Sequence, residues 1–343
     1  MSESASWQQG PLFAHGFSWR KRRLLKCFTQ RADLRFVRNG SPVQAGSHLL
    51  LWGSAPVPPG TPPTARVVRV EDGFLRSVGL GADLVRPLSW IMDRQGIYYD
   101  ATRPSDLELL LQDGAFDDAL LGRAAAFRRR MVEAGLSKYN LAAPPWRRPA
   151  QARKVVLVPG QVETDVSIKY GTQDVRTNME LLRVVRSTRP DAWLIYKPHP
   201  DVVAGLRRPG EQDTQASSLC DEVLLHGDMA QLLDQVDEIH VMTSLTGFEA
   251  LLRGKQVFCY GHPFYAGWGL TEDRHPHARR TRRVSLDELT AAALLEYPIY
   301  ASAQSGQVCS PEQALEDLLQ WRRQSGGPIR WWRRWLRPLL ARP

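Results

Sequence analysis

Short apolar segments alternate with helical segments through the second half of the chain, and this alternation limits the fold more than any other feature. Strands are predicted at 154–158, 192–196, 238–242 and 256–260, and helices at 173–188, 228–235 and 245–253. Apolar strands that alternate with helices form parallel sheets covered on both faces. In the first half, strands at 48–54 and 66–70 precede helices at 105–112 and 118–134. That half is therefore predicted to form an α/β unit of its own.

A proline- and arginine-rich stretch at 142–153 separates the two halves. A compact unit rarely tolerates such a stretch in its interior, so we interpret it as an interdomain linker. We predict an N-terminal α/β domain at 1–145, a C-terminal α/β domain at 146–300 and a basic, tryptophan-rich helical tail at 301–343. Two Rossmann-like domains with parallel sheets facing across a cleft bind ligands at the carboxyl ends of their strands.

Cysteine spacing and hydropathy argue against several classes of protein. The four cysteines (Cys27, Cys220, Cys259 and Cys309) share no C-x-x-C spacing, so neither a zinc site nor a disulfide framework is indicated. No segment resembles a signal peptide, and no uncharged stretch reaches the roughly 18 residues of a membrane span. A cytoplasmic protein is therefore expected.

The net charge of +9 is concentrated near the two ends, in a basic cluster that begins with Trp19 at 19–23 and in interleaved tryptophans, leucines and arginines at 330–340. Such a segment suits a helix that lies on an anionic membrane surface, with indole rings at the headgroup level and guanidinium groups on phosphate. A solvated basic tail whose tryptophans cover a domain edge is the alternative. A nucleic-acid partner is not expected, because no helix-turn-helix, zinc-finger or RNP pattern accompanies the charge.

Polar residues follow four of the predicted strands at the point where each strand ends. The four groups are Glu71 and Asp72; Gln161, Glu163 and Asp165; Lys197 and His199; and Thr243, Ser244, Thr246 and Glu249. Because ligands bind at the carboxyl ends of parallel strands, these side chains are predicted to converge on one site.

Two of these groups suit a phosphate-containing ligand. The segment 243–249 would place hydroxyls and free backbone N–H groups at a helix N-terminus, with Glu249 positioned to hold ribose hydroxyls. His199 lies between two prolines, so its ring could donate to a phosphate or to a departing oxygen. The alternatives are an ordinary helix cap and a structural histidine. The chain has no P-loop, and 79–84 lacks the third glycine of a dinucleotide fingerprint, so an oxidoreductase has little support.

Carboxylates contributed by both halves suit glycosyl transfer. One of them can attack or stabilise an oxocarbenium-like carbon while another manages the acceptor proton. Glu163 and Asp165 come from one half, and Glu71 and Asp72 from the other; a turn or helix-cap role is the alternative for each. The absence of an Asp-x-Asp triplet argues against a metal-clamped sugar nucleotide. The leaving group would then be neutralised by the helix N-terminus, His199 and Lys197.

Six longer stretches resemble signature segments of one family. They are 71–81, 96–100, 161–165, 196–202, 243–252 and 265–269. They resemble the capsule-polysaccharide (KpsC-type) β-Kdo transferases over about residues 48–300. This chain resembles a single module, most like the C-terminal module of the two-module enzymes.

The resemblance implies a GT-B-like fold and a retaining transferase that needs no metal or cofactor. Kdo would pass from CMP-β-Kdo to a lipid-linked Kdo or glycan acceptor at the inner face of the membrane. The first domain would then lie on the acceptor side and the second would bind the CMP-sugar. Capsule assembly proteins are possible partners. The alternatives are a transferase for another CMP-activated ulosonic acid and a non-catalytic module of a capsule assembly complex.

The resemblance also assigns roles to particular residues. Asp165 matches the nucleophile, and either Glu71 or Asp72 the acid/base group. The remaining matches are His199, Ser244 and Thr246 at the donor phosphate and Glu249 at the ribose, with Lys197, Thr243, Gln161 and Glu163 completing the donor-binding set.

Overall fold

Two β-sheets organise the protein, one built mainly from each half of the chain. The computed structural model describes residues 9–75, 77, 86–137, 146–208, 210 and 213–324. The predicted signature residues at 76 and 78–81, part of the linker at 142–145 and the basic segment at 330–340 lie outside the described residues.

The first sheet has seven strands. They are β1 (Leu12–His15), β2 (Arg35–Phe36), β3 (His48–Trp52), β4 (Arg66–Asp72), β5 (Ser89–Asp93), β12 (Pro298–Ala301) and β13 (Val308–Cys309). Their spatial order is β13-β12-β5-β4-β3-β1-β2. The first four strands pair in parallel, but β5 is antiparallel to β4, and β12 and β13 are also antiparallel to their neighbours. The prediction of a parallel sheet was therefore wrong for this edge, because β12 returns from the far end of the chain to pair with β5.

The second sheet confirms the predicted parallel arrangement. Its strands are β6 (Val155–Pro159), β7 (Trp193–Lys197), β8 (Glu222–Val223), β9 (Glu238–Val241), β10 (Gln256–Cys259) and β11 (Glu272–Asp273). Every pair in the order β11-β10-β9-β6-β7-β8 is parallel. All residues of β6 and β9 are buried, as expected for strands covered on both faces.

Helices connect the strands. They are α1 (Trp19–Thr29), α2 (Asp106–Asp113), α3 (Asp118–Glu133), α4 (Val166–Gly171), α5 (Asn178–Thr188), α6 (Pro200–Val203), α7 (Met229–Gln235), α8 (Leu245–Leu252), α9 (Leu286–Thr290) and α10 (Pro311–Gln324). A 3₁₀ segment lies at Asp213–Ser218 and a π-helical turn at Ala291–Glu296. No helix in the described part of the chain is both long and apolar enough to cross a bilayer.

One helix starts later than predicted, and at another an ion pair takes the place of a complete capping box. The helix predicted at 173–188 starts only at Asn178 as α5, after a capping box formed by Thr177 and Glu180, and the separate short helix α4 precedes it. At α2, Ser105 accepts from the backbone N–H of Glu108, but the Glu108 carboxylate bonds Arg279 and Arg280 instead of completing a capping box. Tertiary ion pairing therefore takes precedence over local capping at α2.

The chain passes back to the first sheet after completing the second. Strands β12 and β13 and helix α10 belong to the segment 298–324, and Leu315 and Leu318 of α10 are buried. The division at 145 and 300 stays a prediction, and any division of the chain has to assign this returning segment to the first sheet.

A buried carboxylate stabilises the start of the second sheet. The Glu238 side chain, only 3% exposed, pairs with Lys154 and Arg189 and accepts from His240. Burial opposes its ionisation, but hydrogen bonds from His240, Lys154 and Arg189 outweigh burial and lower its pKa to about 2.

Replacing Glu238 should destabilise the protein in a pH-dependent way. We expect Glu238→Gln to lower the free energy of unfolding by about 3 kcal/mol at neutral pH, because Lys154 and Arg189 lose their counter-charge. The folded pKa lies below the unfolded value, so the carboxylate contributes fully above about pH 4.5, and its contribution is lost as the pH falls toward 2. Denaturant unfolding of both proteins at several pH values tests this. Glu272→Gln, an exposed carboxylate, is the control, and an equal effect in both variants would contradict the assignment.

Candidate active site

The end of β4 presents two carboxylates to opposite faces of the first sheet. Asp72 accepts a hydrogen bond from the indole N–H of Trp90 at 3.2 Å, and Trp90 is fully buried. Glu71 points the other way: its Oε2 lies near Gly53, where a Cβ atom would come within 3.2 Å of both Glu71 Oε2 and the Tyr99 hydroxyl. Successive residues of a strand face opposite sides, so the two acids cannot serve the same site equally.

Phe74 joins this strand end to the second half of the chain. Its ring stacks on Phe264 at 4.5 Å, meets Tyr98 edge-on at 4.8 Å and lies 5.8 Å from Phe248 of α8. Gly73 permits the turn into Phe74, since a Cβ atom there would lie 2.3 Å from Ser89 Oγ. The aromatic contacts therefore hold the Glu71–Asp72 end of β4 against the second half.

Carboxylates from both halves of the chain act on Tyr98 and Tyr99. Burial raises the pKa of the Tyr98 hydroxyl, and the negative charges of Glu71, Asp72 and Asp165 raise it further. Burial, Glu71 and Asp165 likewise raise the pKa of Tyr99. Both phenols are therefore neutral hydrogen-bond donors at neutral pH. The predicted convergence had omitted these two tyrosines, although they stand in one of the signature stretches.

Asp165 is exposed and begins helix α4. Its Oδ1 accepts from the backbone N–H of Ser167 at 2.9 Å, which is the helix-cap contact offered as the alternative role. Its Oδ2 accepts no hydrogen bond from the described residues. One oxygen therefore orients the carboxylate, and the other remains available to a ligand.

Gln161 and Thr243 fasten two strand ends of the second sheet together. Gln161 Nε2 donates to Thr243 Oγ1, and Gln161 Oε1 accepts from the Thr243 backbone N–H, each at 2.9 Å. Asn178 bonds the backbone of Gln161 on both sides, at 2.9 and 3.0 Å. Glu163 accepts from the Asn178 N–H at 2.8 Å, at the start of α5. Through these hydrogen bonds, the loop that carries Asp165 is positioned by Gln161, Thr243 and Glu163.

Lys197 is the last residue of β7, and His199 follows two residues later. Lys197 is buried, which lowers the pKa of its ammonium group, although the charge of Asp228 partly compensates. His199 begins the short helix α6, and its Nδ1 accepts from the Asp201 backbone N–H at 3.1 Å. A neutral His199 therefore carries its proton on Nε2.

Ser244 caps the start of helix α8: its hydroxyl accepts from Thr246 N at 3.3 Å and contacts Thr246 Oγ1 at 3.2 Å. The buried Tyr265 hydroxyl donates to the Ser244 carbonyl. Glu249 is buried, one and a half turns into the helix, and lines a small cavity with Phe74. The predicted hydroxyl pair is thus present at the helix start, and Glu249 lies deeper than the prediction implied.

Among the described residues, no group of three or more His, Cys, Asp or Glu side chains is arranged to hold a metal ion.

The contact between Gly247 and Tyr265 gives a test of how α8 is positioned. A Cβ atom at Gly247 would lie 2.2 Å from the Tyr265 hydroxyl, so Gly247→Ala must displace Tyr265 from Ser244. We expect it to lower the free energy of unfolding by about 1–3 kcal/mol. Gly122 of α3 has no atom within 4 Å of such a Cβ, so Gly122→Ala should stabilise the protein by up to about 1 kcal/mol through helix propensity. Thermal unfolding of both variants measures the contrast, and stabilisation by Gly247→Ala would contradict the packing.

Comparison with known proteins places the chain in a family. A family model described as capsule polysaccharide biosynthesis protein matches residues 62–141 and 121–304. Capsule polysaccharide modification protein LipA of Neisseria meningitidis serogroup B is 42% identical over 322 residues, which cover 91% of this chain and 46% of LipA. The chain spans about half the length of the curated relatives it matches.

Two solved structures match at the level of the whole fold. The beta Kdo 2,7 transferase of Thermosulfurimonas dismutans KpsC is 38% identical with a TM-score of 0.74, covering 91% of this chain and 100% of that chain. The beta Kdo 2,4 transferase of the same protein is 32% identical with a TM-score of 0.78, covering 91% and 99%. With the family model matching more than half of its residues, the chain belongs to the capsule polysaccharide biosynthesis family, as a KpsC-type member.

Proposed function

We propose that the chain is a retaining glycosyltransferase that moves Kdo from CMP-β-Kdo to a lipid-linked Kdo or glycan acceptor, without a metal or cofactor. The observation that carries the proposal is that Glu71 and Asp165, one from each half, both raise the pKa of the same two tyrosines. Carboxylates on both sides of a reacting carbon are the groups that retaining glycosyl transfer uses. The whole-chain likeness to two KpsC Kdo transferases supports the choice of sugar.

In the proposed reaction, Asp165 is the nucleophile. Its carboxylate attacks the anomeric carbon as the bond to CMP breaks, which gives a covalent Kdo–enzyme ester and free CMP. The acceptor hydroxyl then attacks the same carbon, its proton passes to Glu71, and the Asp165 carboxylate is released. Two successive inversions retain the configuration. The Oδ2 atom of Asp165, which has no donor among the described residues, supports this role.

Glu71 suits the acid/base role better than Asp72 does. Asp72 Oδ1 is bonded to the buried Trp90 indole, whereas the Glu71 carboxylate faces Gly53 and Tyr99. Among the carboxylates, Glu71 also has the largest effect on the pKa of both tyrosines. We therefore assign proton transfer to Glu71 and a structural role to Asp72.

The donor phosphate is assigned to the start of α8 and the end of β7. Ser244 and Thr246 supply hydroxyls at a helix N-terminus, where anions are favoured. Lys197 adds a buried positive charge, and the Nε2–H of His199 is a directed donor. We assign Glu249 to the ribose of CMP, while Gln161, Glu163 and Thr243 shape this side of the site through the contacts described above.

Loss of Asp165 should abolish transfer while leaving the protein folded. We expect Asp165→Asn to lower kcat roughly 10³-fold or more, because the covalent step is lost. Purified protein is incubated with CMP-Kdo, generated in situ, and a synthetic Kdo-terminated acceptor in the presence of EDTA. Product formation and intact mass, which detects a Kdo adduct, are the measurements.

Two variants sharpen the interpretation. Asp191→Asn, an exposed acid on another loop, should behave as wild type. Glu163→Gln should still form the adduct, because its carboxylate bonds the start of α5. Adduct formation by Asp165→Asn would contradict the nucleophile assignment. Transfer only from another CMP-ulosonic acid would replace the proposed donor, and failure to bind CMP would favour a non-catalytic role in a capsule assembly complex.

We also propose that the enzyme works at the cytoplasmic face of the membrane, alongside capsule assembly proteins. Helix α1 supports this, since Trp19 is 75% exposed and Arg22, Arg23 and Lys26 are exposed too. None of the described salt bridges involves these three cations. Indole and basic side chains together suit an anionic bilayer surface.

The double variant Trp19→Ser/Arg23→Gln should bind anionic vesicles at least fivefold more weakly, since each basic residue near such a surface contributes about 1 kcal/mol. Co-sedimentation with phosphatidylglycerol-containing vesicles, against phosphatidylcholine vesicles, measures the change. Arg153→Gln, an exposed charge at the start of the second sheet, is the control. Unchanged binding by the double variant would rule out α1 as the membrane contact.

A further inference from the structure

Arg69 of β4 lies on the same face of the first sheet as Glu71, two residues away. Alternation along the strand gives the two side chains a common direction. The charges of Arg69, Glu71 and Asp165 all affect the pKa of Tyr99. Tyr170 of α4 in turn affects the pKa of Arg69. Arg69 is therefore part of the same group of side chains as the proposed reacting carboxylates.

The Arg69 guanidinium is held in place by backbone carbonyls. Its Nη1 donates to the carbonyl oxygens of Gly53, at 3.1 Å, and Ala55. No described hydrogen bond involves its Nε or Nη2. One edge of the planar group is thus anchored on the loop after β3, and the other N–H groups remain available to a ligand.

No carboxylate forms a salt bridge with Arg69 among the described residues. Asp93 lies directly opposite Arg69 in the strand register, yet its oxygens accept from the N–H groups of Gln95 and Gly96 and from the Tyr297 hydroxyl. Burial lowers the pKa of Arg69, although a guanidinium stays charged at neutral pH. A partly buried cation without an ion-pair partner is costly to maintain unless a bound anion compensates it.

Resting on the proposed function, we propose that Arg69 binds an oxyanion of the acceptor, namely the carboxylate of an acidic sugar. The location favours the acceptor over the donor. Arg69 is on the Glu71 side of the site, whereas the groups assigned to the donor phosphate follow strands of the second sheet. A guanidinium fork matches a carboxylate in two parallel hydrogen bonds, so it can orient the sugar so that its hydroxyl meets Glu71. A phosphate of the lipid carrier is also an oxyanion that a guanidinium binds. The experiment distinguishes the two sources, because its synthetic acidic acceptor contains a carboxylate and no phosphate.

The test compares an acidic acceptor with its neutral counterpart. A synthetic Kdo glycoside and its methyl ester, neither of which contains phosphate, are given to the wild type, Arg69→Gln and Arg69→Lys. In the wild type the acid should have the lower KM by roughly 10- to 100-fold, the range for a charge-assisted hydrogen bond. Arg69→Gln should remove most of this preference and Arg69→Lys should keep part of it, while the KM for CMP-Kdo changes little in both.

Arg66→Gln is the matched control, because Arg66 is an exposed arginine at the other end of the same strand. It should keep the full preference for the acid. The ratio of the KM for the acid to the KM for the methyl ester is the deciding quantity. A merely structural loss would weaken the binding of both acceptors equally and leave this ratio unchanged. An unchanged ratio in Arg69→Gln, or a rise in the KM for CMP-Kdo alone, would overturn the proposal. If the preference depended on a phosphate-linked acceptor instead, the carboxylate assignment would be wrong.

Failure of the proposed function is distinguishable from failure of this inference. Ligand-observed NMR measures binding of the acid and the ester to each variant without any transfer. One outcome is that the wild type transfers no Kdo and still binds the acid more tightly than the ester, with this preference lost in Arg69→Gln. That result would contradict the proposed reaction but support the carboxylate subsite at Arg69. Equal binding of the acid and the ester by the wild type would remove the subsite.

Discussion

The amide of Gln161 is the contact on which the geometry of the site depends. It joins the end of β6 to the end of β9 through two 2.9 Å hydrogen bonds with Thr243, so both ends of a buried amide are satisfied. Such a pair tolerates little displacement, because breaking it leaves buried polar atoms without partners. Asp165 lies four residues after Gln161, and α8 begins two residues after Thr243. One side chain therefore constrains the distance between the proposed nucleophile and the helix start that is proposed to bind the phosphate.

A second constraint links the two halves of the chain. Phe74 lies among Tyr98, Phe248 and Phe264, and these rings belong to a hydrophobic cluster that includes buried residues of both sheets. Apolar packing has no preferred direction, but interiors are close-packed, so the rings admit few relative positions. Because Gly73 and Phe74 directly follow Asp72, the end of β4 lies next to the contact between the two halves. Glu71 is held at the end of β4 because Gly73 and Phe74, just beyond it, are buried.

Much of the second half was predictable because its strands are continuous apolar runs that carry their own signal. The edge of the first sheet was not: β12 pairs with β5 across some two hundred residues, and no local pattern encodes such a pairing. Similarly, the rule that polar residues follow strand ends selects Glu71, Asp165 and the start of α8 as candidates. It omitted Tyr98 and Arg69, because an aromatic residue in a loop resembles core and an arginine inside a strand resembles a surface residue. The only signal for Arg69 is its spacing of two from Glu71.

Charge balance supports a role for these two omitted residues in the proposed chemistry. Glu71, Asp72 and Asp165 all act on Tyr98, and like charges at close range raise one another's pKa unless a cation or a donor offsets them. A nucleophile has to be ionised, so the site needs neutral donors and positive charge near Asp165. The raised pKa values of Tyr98 and Tyr99 keep both hydroxyls protonated as donors, and Arg69 supplies positive charge on the Glu71 face. A further anion, such as the carboxylate of an acidic acceptor, can enter this group of acids only where that guanidinium compensates it.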